Sequence, residues 1–479
     1  MAQSPEQLVP GRFRELLRAV RLTSSSTLLT VVFGVASNKL IAHYAGSSGI
    51  GLIGIYRTLV YLASTVGLLG VTDVMTRGIA RAKTKEESTA IIGASAHFLV
   101  LPVLVVLLVA FFFAAPITSA MFGSSGSEHV DEVRVVLALS SASMGYAVVQ
   151  AILNGQAAVR EIASLSVAVS FATLALSYPF LKIGPLGLPL LISVGPFAAM
   201  LLGVRFTWKR NGLRAADFGF RSIAEVRARL PISLFLVLHP FVATTSALAH
   251  QSVMARGYGI DTLGLYNAGS TLESTAIAML TAPMRSYFLP TLGRLESHVE
   301  RRRFAERMLV VLLALILVGG SILILGAPEI LSLLFARAFT SGASLVAALA
   351  LSFVGQMFVW VAGMHLIHEG RFGTWVAVDT VWALLRVGGT YACVRYGAPI
   401  VAAAFVHAGA YTVLGVIYVF VTREKGVALI SGRAIGTSLA VLALLGAASW
   451  LATSRTAFGI GVYVACAGAF AWSLARRWK

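Results

Sequence analysis

The sequence predicts an all-α polytopic membrane protein with about fourteen transmembrane helices. Three observations carry this. Hydrophobic residues make up 57% of the 479 and charged residues only 12%, where soluble domains hold about 25% charged. The apolar residues lie in continuous runs of about twenty, the length that crosses a hydrocarbon core as a helix. Lysine and arginine fall almost entirely in alternate breaks between those runs. A soluble chain this poor in charge would expose large apolar patches. A closed barrel, the other spanning architecture, would need short alternating strands instead of long runs.

The spans are read at 24–45, 51–75, 89–114, 133–157, 161–181, 185–207, 231–254, 264–290, 307–326, 343–367, 373–394, 398–421, 434–453 and 457–475. With the N-terminus inside, the inner segments hold 27 lysines and arginines and the outer segments 6. The positive-inside rule therefore assigns both termini to the cytoplasm. The same rule accounts for the net charge of +18, so nucleic acid is not implied as a partner.

Five segments follow. Residues 1–23 form a cytoplasmic amphipathic N-terminus. Residues 24–207 make an N-lobe of six spans. The basic stretch 208–230 is an interlobe loop. Residues 231–421 make a C-lobe of six spans, and 434–475 add two further spans. The lobes echo one another. GSSGIGL at 46–52 and GIDTLGL at 259–265 share the pattern G-x-x-x-[IL]-G-L at a shift of 213 residues, each before the second helix of its lobe. Two lobes starting on the same side imply parallel repeats, related by a pseudo-twofold axis along the membrane normal, with a cavity between them. Residues 11–22 and 218–230 mix Phe and Leu with Arg at helical spacing, a pattern suited to anionic lipid headgroups. The run Arg301-Arg302-Arg303 reads as a lipid-facing charge cluster.

Ionisable residues inside spans are costly and so point to function. Lys39 lies about 22 Å up span one, and Arg57 about 9 Å below the outer end of span two. No carboxylate is close to either in sequence. In a wet cavity they would attract an anion; the alternative is snorkelling to the outer headgroups. Arg285 sits between Pro283 and Pro290, where a bent helix is expected. Glu273 is the deepest carboxylate of span eight and either pairs with a cation or carries a coupling proton. Asp379 and Arg386, two helical turns apart, share a face of span eleven. These three are the coupling or gating candidates.

No catalytic motif is present, neither a phosphate-binding glycine loop nor a metalloprotease or nucleophile-elbow pattern. An enzyme is not expected. His365, His368 and Glu369 lack further ligands at standard spacing, so no metal or cofactor is expected either. Cys393 and Cys466 sit in apolar stretches and read as inert.

Residues 37–52, SNKLIAHYAGSSGIGL, resemble the first-helix signature of bacterial polysaccharide exporters. Residues 330–339, ILSLLFARAF, resemble the segment between spans nine and ten of that group. With the six-plus-six layout, the chain is similar to O-antigen translocases of the multidrug/oligosaccharidyl-lipid/polysaccharide exporter superfamily. It departs from them in two extra spans, which the related lipid II flippases also have. Span one lacks Asp and Glu, which argues against a proton-coupled drug antiporter. The resemblance implies a flippase in the bacterial cytoplasmic membrane. Its substrate would be an oligosaccharide on undecaprenyl pyrophosphate, moved from the inner to the outer leaflet by alternating access for O-antigen, capsule or exopolysaccharide assembly. Lys39, Arg57 and Arg285 would then hold the pyrophosphate. Asn38, Gln150, Asn154, Asn267 and Gln356 would line the sugar path. Anionic lipids and other polysaccharide-assembly proteins would be the partners. The alternatives are a small-molecule or drug exporter on the same scaffold, and a membrane enzyme of glycan assembly.

Overall fold

Each apolar run becomes a helix. The computed structural model describes the backbone of residues 10–211, 223–423, 429–454 and 457–476. Side chains are described throughout these segments except at 10–25, 223–236, 282–287, 289, 290, 457, 458, 475 and 476. Seventeen α-helices lie among the described residues, with no strand.

The first seven are α1 (Pro10–Tyr44), α2 (Gly46–Leu68), α3 (Val71–Arg81), α4 (Lys85–Phe122), α5 (Val130–Gly155), α6 (Val159–Leu181) and α7 (Gly187–Asn211). Next come α8 (Ile223–Tyr258), α9 (Ile260–Leu292), α10 (His298–Leu325), α11 (Ala327–Leu334), α12 (Ala343–Ala350) and α13 (Ser352–His368). The last four are α14 (Phe372–Arg395), α15 (Ile400–Val421), α16 (Gly432–Ser454) and α17 (Ala457–Arg476). Every expected span has its helix. Among the described residues, seven stretches are long and apolar enough by length and composition alone to cross a membrane, or eight with one bent pair. Helices α9 and α14, which fall short, are the ones carrying Glu273, Asp379 and Arg386.

The boundaries differ from the sequence reading in three places. The amphipathic stretch 11–22 is not a separate element: α1 runs unbroken for 35 residues, about 52 Å at 1.5 Å per residue. Span two, read as 51–75, is cut at Leu69 and Gly70. Both take left-handed backbone angles (φ 45° and 72°), which end α2 and redirect the chain into α3. Span ten is broken at Leu351, and the axis bends by 41° between the segment Arg337–Ala350 and α13. The interlobe basic stretch lies outside the described residues over 212–222.

The chain forms two compact units, residues 1–45 with 55–244, and residues 46–54 with 245–479. In unit 1, α1 packs on α6, and α5, α6 and α7 pack on one another. The core there joins Val149, Leu153, Ala158, Leu165 and Ala199. In unit 2, α13 and α14 pack on α15, α9 packs on α12 and α13, and α10 carries α16 and α17. The two extra helices are therefore part of unit 2.

The repeated glycine motif has a structural meaning inside unit 2. Its first glycines, Gly46 and Gly259, take φ of +65° and +85°, which glycine alone adopts freely. Each turns the chain into the following helix. Its second glycines let two helix starts touch. A Cβ on Gly51 would lie 2.4 Å from the Ile260 carbonyl oxygen, and one on Gly264 would lie 1.8 Å from that of Ser47. Ser47 and Ile260 are themselves equivalent at the same 213-residue shift. The contact is thus reciprocal, copy against copy, as a local twofold requires. Ser47 Oγ donates to Asp261 Oδ1 at 2.6 Å, and Asn267 Nδ2 donates to the Gly51 carbonyl at 3.3 Å.

Gly264→Val forces backbone against backbone and is expected to destabilise the protein by about 2–3 kcal/mol. Gly319→Ala meets nothing within 4 Å and is expected to be neutral or slightly stabilising. Thermal unfolding of the two purified variants checks this; equal melting temperatures would show that the crossing is not close-packed.

Candidate functional site

A carboxylate inside an apolar bundle must collect hydrogen bonds or be expelled. Glu273 stands thirteen residues into α9 and is 4% exposed. Three side chains converge on its Oε1. Ser352 Oγ donates at 2.7 Å, His407 Nε2 lies at 2.9 Å, and Gln356 Nε2 donates to the same oxygen. Gln356 also donates to Ser352 Oγ at 2.7 Å. The break at Leu351 makes this possible. It starts α13 at Ser352 and sets Ser352 and Gln356 one turn apart on one face. His407 comes from α15 and is 6% exposed.

Arg386 lies within electrostatic reach of this carboxylate. Its guanidinium stacks on the Trp382 ring at 5.1 Å. Asp379 bears instead on Tyr411 and Tyr418. Around the carboxylate stand His250, which meets Thr390 Oγ1 at 3.1 Å, and Tyr266, whose ring lies 5.3 Å from that of His250. His407, Trp382 and Tyr411 form a further aromatic group with ring separations of 5.1 to 6.2 Å. Five polar atoms here are buried without a hydrogen bond from a described residue: His250 Nε2, Tyr266 Oη, Trp382 Nε1, Arg386 Nε and His407 Nδ1. Buried polar atoms are normally satisfied by protein, water or ligand. Their gathering around Glu273 makes this the polar centre of unit 2 among the described residues. No group of three or more His, Cys, Asp and Glu among the described residues is arranged to hold a metal.

Unit 1 carries the cations. Arg57 is half-buried on α2, has Tyr61 as its electrostatic neighbour, and forms no ion pair with a described residue. Lys39 and Asn154 are exposed, and Asn38 is half-buried. Gln150 donates to Tyr146 Oη at 2.7 Å. The side chain of Arg285 lies outside the described residues. Asn267 is 8% exposed and sits in the helix crossing against Gly51 and Gly54, with its Nδ2 donating to the Gly51 carbonyl. The acidic residues at the start of α5 are held by near neighbours. Tyr56 donates to the buried Glu132, His129 Nδ1 lies 2.9 Å from it, and Arg134 pairs with Asp131 at 2.7 Å.

Glu273 and Gln356 were thus legible from sequence as polar residues within spans, but their union was not. His407 and His250 stand out in apolar runs. Ser352 carries no sequence signal, because serine is common in membrane helices and satisfies itself on the preceding turn.

No family model matches this sequence. Over 298 residues the chain is 25% identical to the protein named Lipid III flippase in Escherichia coli strain K12, covering 58% of this chain and 68% of that protein; the Shigella flexneri protein of the same name matches equally. Among solved structures, "Lipid II flippase MurJ, inward closed conformation" aligns with a TM-score of 0.74 at 12% identity, over 95% of this chain and 98% of that one. A multidrug resistance MATE family transporter of the MOP superfamily in an inward-facing conformation aligns with a TM-score of 0.67 at 14% identity, over 88% and 98%. The chain has the fold of these transporters and is a multi-pass membrane protein.

Removing one partner of a buried hydrogen-bonded pair leaves the other charge exposed to low dielectric. His407→Ala is therefore expected to destabilise by about 3 kcal/mol, and Glu273→Gln, which keeps the shape, by much less. Denaturation of both variants in detergent tests this; a His407→Ala protein as stable as wild type would mean that the pair is not held as described.

Proposed function

We propose that this protein is a flippase for a lipid-linked oligosaccharide. It moves an undecaprenyl-pyrophosphate-linked glycan from the inner to the outer leaflet of the bacterial cytoplasmic membrane by alternating access, for O-antigen, capsule or exopolysaccharide assembly. The observation that carries this is Arg57, a half-buried cation on an apolar helix with no described acid to neutralise it. It is set in a chain whose fold and curated relatives are those of lipid-linked substrate flippases.

The chemistry is consistent. A polyprenyl pyrophosphate carries at least two negative charges and an apolar tail. Pulling a sugar headgroup through about 30 Å of hydrocarbon costs several kcal/mol for each unsatisfied polar group. A guanidinium matches phosphate oxygens two at a time. Arg57 binds the pyrophosphate, with Lys39 and Arg285 as the further cations of the path. Asn38, Gln150 and Asn154 offer amides to sugar hydroxyls. Glu273, with His407, Ser352 and Gln356 around it, is the coupling or gating element, and Arg386 and Asp379 set its electrostatic surroundings. A single proton or cation arriving at Glu273 would release His407 and so alter how α9, α13 and α15 are joined. A drug exporter for organic cations fits poorly, since the half-buried charge of Arg57 on α2 is positive.

Purified protein in liposomes with a fluorescent undecaprenyl pyrophosphate oligosaccharide tests this, with a membrane-impermeant quencher reporting transfer. Wild type is expected to transfer the lipid. Arg57→Ala is expected to slow transfer at least tenfold, and Glu273→Gln to reduce it while the protein still inserts and folds. Transfer at the wild-type rate by Arg57→Ala would return that residue to headgroup snorkelling. No transfer by folded wild type across several glycans would remove the flippase reading.

A further inference from the structure

The basic run at the start of α10 is not uniform. Arg302 Nε meets Glu306 at 3.1 Å, and Glu306 also accepts the Ser431 backbone N–H at 2.7 Å, so Arg302 is tied to holding that turn. Arg303 is exposed. Arg301 is different. It lies among the charges acting on His365, beside His298 and His368, and its Nε is buried with no hydrogen-bond partner.

Opposite it, α13 ends at His368, and Gly370 turns the chain at φ +72° so that Arg371 follows. His365 is 1% exposed. Its Nε2 lies 2.9 Å from Glu369 Oε1, and its buried Nδ1 has no hydrogen-bond partner. Glu369 is shared, because Arg371 Nη1 approaches its other oxygen at 3.5 Å. Glu369 is thus engaged by His365 and Arg371, and no ion pair joins it to Arg301. The carbonyls at the end of α13 would draw cations by themselves, but Arg301 Nε bonds to none of them. A buried guanidinium N–H without an acceptor, in a cluster of basic side chains, calls for an anionic acceptor.

We propose that Arg301, His298, His365, His368 and Arg371 form a binding site for the phosphate group of a lipid. The site lies at the end of α13 that the lysine and arginine distribution assigns to the cytoplasm. The phosphate comes either from a bulk anionic phospholipid or from a polyprenyl pyrophosphate. The site lies apart from the Glu273 cluster and does not rest on the flippase reading. Arg301 grips the phosphate by its Nε–H and Nη–H fork. Arg371 stays with Glu369 as the fixed wall.

The test measures binding of short-chain phosphatidylglycerol, phosphatidylcholine and farnesyl pyrophosphate to the full-length protein in neutral detergent at fixed ionic strength. Wild type is expected to bind at least one of the two anionic probes saturably and at least fivefold more tightly than phosphatidylcholine. Arg301→Gln should weaken that binding at least fivefold. Arg303→Gln, which removes the same charge two residues away, should change it less than twofold. Arg301→Lys, which keeps the charge and loses the fork, should weaken it measurably and serves if the glutamine variant fails to fold. Preference for phosphatidylglycerol alone identifies bulk lipid as the source, and preference for farnesyl pyrophosphate alone identifies the carrier. Equal losses in Arg301→Gln and Arg303→Gln, unchanged binding in Arg301→Lys, or binding of phosphatidylcholine as tight as that of either anion would overturn the proposal.

Discussion

Low dielectric leaves no polar group unattended, and that constraint organises this protein. In hydrocarbon the backbone can be satisfied only within helices or closed barrels, so the described chain is helical almost throughout. Side chains face the same demand. Serine and threonine hydroxyls bond back to carbonyls one turn earlier along most helices, as Thr173, Ser177, Ser193 and Thr207 do. Glu273 cannot satisfy itself in that way. It draws partners from α13 and α15, and those hydrogen bonds join three helices of unit 2 at one oxygen.

Close packing then does what hydrophobic burial does in water. Lipid is as apolar as the side chains, so helices associate through backbone proximity and dispersion contacts. The reciprocal crossing of Gly51 and Gly264 is the clearest instance. The carbonyls of Ile260 and Ser47 occupy the space that any larger side chain would need. A repeat of seven residues in the sequence is thus a repeat of function in the fold. Its first glycine turns the chain, and its second admits a neighbouring helix.

The proposed activity follows from how charge is divided between the units. Unit 1 holds a guanidinium with no described acid, suited to an anionic lipid. Unit 2 holds a carboxylate with a histidine 2.9 Å away and an arginine nearby, suited to a change of protonation or ion occupancy. A substrate anion and a coupling cation need such opposite environments. The basic cluster at the end of α13 adds a third environment.

From sequence alone came the helical class, the apolar runs that become helices, and Glu273 and Gln356 as polar residues inside apolar runs. These are readable because each depends on local composition: twenty apolar residues, a charged loop, a lone acid. The breaks at Leu69 and Leu351 were not readable, since a continuous apolar run hides a bend. Nor was the pairing of Glu273 with His407, 134 residues away. Only the tertiary structure decided that Asn267 locks a helix crossing, and that Arg301 stands apart from Arg302 and Arg303. Both depend on what lies across a helix interface, and that information is not local to any stretch of sequence.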